Sequence, residues 1–110
     1  MIDLIQETED KTNRLNELIE NLAQKGRALA ENEAMYKIAL ATKITELRNN
    51  GMPVTIINDL CRGDKDIAKR RMNRDIAETD YRVCLEAINV TKLQLKLLEN
   101  QTQREWGNCK

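Results

Sequence analysis

With 110 residues the chain has the length of one domain. Eighteen basic residues balance eighteen acidic ones, and this neutrality argues against a protein held to nucleic acid by bulk charge. Aromatic residues make up 3% of the chain and Phe is absent, which is little ring area for a compact globule and no obstacle to an elongated bundle built from Leu, Ile and Ala.

The first predicted element is a long helix. Ile5, Thr8, Thr12, Leu15, Ile19, Leu22, Gly26, Leu29, Glu33, Tyr36, Leu40, Ile44 and Leu47 step by threes and fours without a Pro. Leu18, Ala30, Ile38 and Ala39 widen this stripe. Such a helix needs a partner along its length. Thr8 and Thr12 are poor seam residues, so the first turns are expected to fray. Gly26 on the seam reads either as a close helix crossing or hinge, or as a tolerated kink.

The stretch Asn49–Asp64 punctuates the chain and holds its only Pro. Gly51 suits the left-handed position just past a helix end. Pro53 then blocks helix continuation. Thr55 is a candidate N-cap for a short helix carrying Ile56, Ile57 and Leu60, all three expected to plug the end of a hairpin. Gly63 stops that helix, and Asp64 is placed to cap the next one.

The second long helix is expected over 64–106, with two adjacent seams. One runs Ala77, Tyr81, Cys84, Ile88, Thr91, Leu95, Leu98. The other runs Ile76, Asp80, Val83, Ala87, Val90, Gln94, Leu97, Gln101. One partner helix covers only part of so wide an apolar face, so a second copy or another partner is expected on the rest. The candidate oligomer face is Ala77, Tyr81, Val83, Cys84, Ala87, Ile88, Val90, Leu95, Leu97 and Leu98. Acidic residues dominate positions 1–20 and basic ones positions 90–110, which favours laying the two ends side by side. Trp106 either caps the core against Ile2, Leu4 or Ile5, with Gly107 ending the helix, or stands exposed as a binding anchor; the core role is the one expected.

Arg62, Lys65, Lys69, Arg70, Arg71 and Arg74 form a basic cluster beside the tip, interleaved with Asp64, Asp66 and Asp75. It reads either as a site for an anionic partner (nucleic acid, a nucleotide or an acidic protein) or as a solvated face with internal salt bridges. Lys69, Arg70 and Arg74 are spaced to share a helix face.

The chain has no His, and Cys61, Cys84 and Cys109 show no CxxC spacing, so no metal and no cofactor are expected. No phosphate-binding loop or hydrolase motif occurs, so the chain reads as non-enzymatic. Cys84 is a candidate core residue, and Cys61 and Cys109 are read as free thiols, which suit a reducing cytoplasm. No basic segment followed by an apolar run opens the chain, and no apolar run reaches membrane-span length, so a cytoplasmic location without membrane contact is expected.

The run Gly51-Met52-Pro53-Val54-Thr55-Ile56-Ile57-Asn58-Asp59-Leu60-Cys61-Arg62-Gly63, with the closing Arg104-Glu105-Trp106-Gly107, resembles a group of small helical proteins encoded by phages and prophages of Gram-positive bacteria. The resemblance extends from about Ala30 to Gly107. It implies a phage origin and action inside the host cytoplasm, and it carries no catalytic residues.

Together these readings give an all-α protein with one domain over residues 1–110: a long, coiled-coil-like antiparallel helical hairpin (arm 2–50, tip 51–63, arm 64–106) in a homo-oligomeric bundle, dimer or higher. The expected function is non-enzymatic binding and modulation of a host protein. The alternatives are accessory nucleic-acid binding through the tip cluster, or an oligomer that sequesters a small anionic nucleotide signal.

Overall fold

The computed structural model describes residues 2–108, and Cys109 lies outside them. Three helices account for almost all of it: α1 (Ile2–Asn49), α2 (Val54–Gly63) and α3 (Lys65–Asn108). No strand occurs among the described residues. No described helix is long and apolar enough to cross a membrane. Contacts divide the chain into two compact units. One joins the chain's two ends, up to Gln24 and from Arg82 on; the other is Lys25–Tyr81.

The middle unit contains the tip, and its turns follow from three residues. Gly51 takes φ 79. Its N–H donates to the Arg48 carbonyl and the Met52 N–H to the Leu47 carbonyl, both at 3.0 Å. These two bonds satisfy carbonyls that the last turn of α1 would leave open, the arrangement that a left-handed glycine makes possible. Pro53, at φ −60 and ψ 138, precedes the first residue of α2 and contributes no side-chain cap. Thr55 therefore lies inside the first turn and is not the N-cap expected from the sequence, because Pro53 already has the extended geometry of that position. Asp64 caps α3 as expected. Its Oδ1 accepts from the N–H groups of Asp66 and Ile67, each at 3.0 Å, and its carbonyl takes the first helical bond from Ala68.

The core of this unit is Leu47, Ile57, Cys61 and Ile67, with Tyr36, Leu40 and Ile44 packed against it. Only Ile57 of the three expected plug residues is buried; Ile56 is 40% exposed and Leu60 39%. The inner face of α2 is set by Ile57 and Cys61, one turn apart, and Ile56 and Leu60 lie on the neighbouring face. Cys61 is thus a core residue rather than an accessible thiol. Further along, Gly26 faces Tyr81: a Cβ there would stand 3.4 Å from the ring's Cε2. α1 continues unbroken through Gly26, so the glycine does not end the helix, and the space beside the Tyr81 ring admits a methyl and little more.

The unit of the chain ends has a thinner core. Leu18, Cys84 and Ile88 are buried, with Leu15, Leu22 and Ala87 against them. The Cys84 thiol donates to the Leu18 carbonyl at 3.4 Å. Thr91 is buried, its hydroxyl satisfied by the Ala87 carbonyl at 2.8 Å. Along α1 the inward positions are Leu4, Thr8, Lys11, Leu15, Leu18 and Leu22, whereas Ile5, Thr12 and Ile19 are exposed. The expected stripe was right at Thr8, Leu15 and Leu22 and at Leu18, which widened it, and wrong at Ile5, Thr12 and Ile19. Trp106 is 59% exposed, so the expected core role is corrected, and α3 runs on through Gly107 to Asn108. No ion pair among the described residues joins the acidic start of α1 to the basic end of α3; Arg14 pairs with Glu17 on its own helix instead.

Candidate functional site

The six cations beside the tip differ in their partners. Arg70 pairs with Asp66 at 3.2 Å, one turn back on α3. Arg74 donates to Asp75 at 2.8 Å and lies over the Tyr36 ring, 4.6 Å from its centre. The Asp75 carboxylate raises the Arg74 pKa above its usual range. Both arginines are therefore paired within α3, while Lys69, the third residue of the face expected to contact phosphate, has no partner among the described residues.

Asp64 is also committed. Besides capping α3 it pairs with Lys43 of α1 at 3.5 Å. The Ile67 N–H, and after it the Lys43 charge and the Asp66 N–H, hold its carboxyl below the ordinary carboxylate value against a smaller opposing effect of burial. Four cations of the cluster remain without an ion pair or hydrogen bond among the described residues: Arg62, Lys65, Lys69 and Arg71. Lys65 and Lys69 stand exposed, whereas Arg71 is half-buried. Arg62 and Arg71 line one cleft of about 270 Å³ with Tyr36, Leu40, Asn58, Cys61 and Ile67.

The apolar face of α3 divides into a used and an unused half. Ala77, Cys84, Ile88 and Leu98 are buried within the chain, and Tyr81, Ala87 and Leu95 are half-buried. These seven leave little for a partner. Val83, Val90 and Leu97 are exposed by 63, 46 and 59%. They recur every seven residues, the spacing of a coiled-coil seam. Leu93, which extends the apolar face of α3 in the sequence, belongs beside them at 59% exposure.

A second apolar surface lies at the tip. Met52, Val54, Ile56 and Leu60 are exposed by 41, 70, 40 and 39%. Among the described residues no group of three or more His, Cys, Asp or Glu is placed to hold a metal ion. No protein-family model, curated protein or solved structure matches the chain.

Proposed function

We propose that the protein is a non-enzymatic, phage-encoded helical module that self-assembles through α3 and binds and modulates a protein of the host cell, in the host cytoplasm, through its tip. In this reading α1 and α3 run antiparallel within each unit and form a coiled-coil-like hairpin. The contacts Gly26 with Tyr81, Tyr36 with Arg74 and Lys43 with Asp64 support that direction, since numbers rise along α1 as they fall along α3.

The observation that carries the proposal is the exposed row Val83, Val90 and Leu97 with Leu93 between. A helix that shows apolar residues at heptad spacing on a face its own chain leaves uncovered is built to meet another helix. A second copy supplies one at no further cost in sequence, and a closed symmetric dimer buries the same row on both chains. The exposed Ile56 and Leu60 on α2 then remain as the partner-binding face, and the resemblance of the tip to phage-encoded proteins motivates a host protein as that partner.

The test is affinity capture from a Gram-positive host lysate with wild type and with Ile56→Lys/Leu60→Lys, each checked for unchanged assembly. The reading expects one partner retained by wild type and lost by the variant. Equal capture by both, or none by either, contradicts it.

A further inference from the structure

We infer that the cleft between the C-terminal turn of α2, the start of α3 and the middle of α1 is a binding site for the phosphate group of a small phosphomonoester. Two guanidinium groups, Arg62 on α2 and Arg71 on α3, line it together, although nine positions separate them in the chain. Neither makes an ion pair or hydrogen bond among the described residues, while Arg70 and Arg74 on the same stretch of helix do both. Asp75 lies one turn from Arg71, but its carboxylate is held by Arg74 at 2.8 Å. The cleft therefore presents two unpaired positive charges, with Asp75, which lines the neighbouring cleft with Arg71, engaged by Arg74.

The remaining lining says what those charges would meet. Asn58 stands one turn before Arg62 on α2 and adds an amide that both donates and accepts. Tyr36 supplies a hydroxyl and a ring, the ring braced by Arg74. The buried Cys61 and Ile67, with Leu40, complete the lining, so apolar side chains stand beside the polar ones. A phosphomonoester carries about −1.5 to −2 charges at neutral pH, which two arginines balance, whereas a carboxylate carries only one. Arginine forks also match phosphate oxygens in pairs. The cleft's volume of about 270 Å³ favours a compact molecule over a nucleic-acid backbone, which would need a longer run of free cations and a net positive chain.

This site is separate from the assembly row on α3, since none of Val83, Val90, Leu93 or Leu97 lines it. It can therefore fail while the proposed self-assembly stands, and the reverse also holds.

The experiment is calorimetric titration of the full chain with inorganic phosphate, with AMP, with uncharged adenosine and with a short single-stranded oligonucleotide lacking a terminal phosphate. It is repeated on Arg62→Gln, Arg71→Gln, Arg71→Lys and the outside control Lys69→Gln, with helicity checked by circular dichroism. AMP should bind saturably and adenosine should not. Each Gln variant should lose about ten-fold or more in affinity. Arg71→Lys should fall between wild type and Arg71→Gln, because it keeps the charge and loses the paired contact. Lys69→Gln should bind as wild type does. Inorganic phosphate binding as tightly as AMP would identify the free ion as the ligand, and tighter AMP binding would identify an esterified one; both uphold the site. No saturable binding of either, equal binding by the Gln variants, or an oligonucleotide preference reduced as much by Lys69→Gln as by Arg71→Gln would overturn it.

Discussion

The two units of this chain solve the same problem with different means. In Lys25–Tyr81 three helices meet, so Ile57, Cys61 and Ile67 can be covered from several directions. In the unit of the chain ends only two helices are present, and each leaves an apolar edge outside: Ile5 and Ile19 on α1, Val83, Val90, Leu93 and Leu97 on α3. Two helices bury one stripe each and no more. The middle unit closes a core between three helices and still leaves Ile38, Val54, Ile56, Leu60, Met72 and Ile76 exposed outside it, while the end unit shows its exposed apolar residues on α3 at the heptad spacing of a helix seam.

That contrast is broken or sharpened first in the core of the middle unit. Ile57→Asp places a charge among Leu47, Cys61 and Ile67 and should cost several kcal/mol, enough to abolish the cooperative melt. Ile56→Asp, one residue away on the exposed face, should leave the melting temperature almost unchanged. Equal effects of the two would mean that the inner face of α2 is assigned wrongly. Ile67→Ala should cost about 2–5 kcal/mol in urea unfolding, the range for emptying a buried aliphatic site.

Smaller effects are expected at the two informative glycines, with opposite signs. Gly51→Ala must hold a side chain at φ 79 and should destabilise by about 1–2 kcal/mol. Gly26→Ala brings a methyl to ordinary contact with the Tyr81 ring and removes a helix-breaking residue, so it should stabilise by up to about 1 kcal/mol. Gly26→Leu, which cannot fit against Tyr81, should reverse the sign. Chemical denaturation of the three variants checks all of this.

The smallest expected effect is a pH dependence at the Asp64 cap. Its carboxyl is held below the ordinary value of 3.8, so the stability it contributes is complete above that value and is lost as pH falls through the lowered pKa. Asp64→Ala should therefore melt several degrees below wild type at neutral pH. The gap should narrow as pH falls below the ordinary carboxylate value and close once it has passed the lowered pKa. A gap that persists there would assign the loss to helix propensity and not to the charged cap.

The tip was legible in the sequence because its signals are local. Gly51, Pro53 and Asp64 each act on backbone groups within four residues, so their effect does not wait for tertiary packing. The faces were less legible. Thr8, Leu15 and Leu22 are flanked on one side by Leu4, Lys11 and Leu18 and on the other by Ile5, Thr12 and Ile19, and both edges keep heptad spacing. Only packing against α3 decides between them, and it takes the first. With Leu4 and Leu18 inside, the inward positions Leu18, Leu22 and Gly26 follow in two consecutive four-residue steps, a local change of the repeat. α2 posed the same difficulty: Ile56, Ile57 and Leu60 are equally apolar, and the burial of Ile57 with Cys61 depends on Leu47 and Ile67 from other helices. The cleft was hidden for another reason. Asp66 lies within one turn of both Lys69 and Arg70, and Asp75 within one turn of both Arg71 and Arg74, so which cations stay unpaired depends on rotamers and not on spacing. Trp106 was misplaced because an aromatic residue near a helix end reads equally as a core cap or as a surface group.

The account rests most directly on whether the end unit is completed by a second copy, and sedimentation velocity across a concentration series measures it. Wild type should sediment as a dimer or larger species at micromolar concentration. Val90→Asp/Leu97→Asp, which alters only residues that the single chain leaves exposed, should sediment as a helical monomer. A wild-type monomer at every concentration would contradict the account, as would a variant that assembles as wild type does.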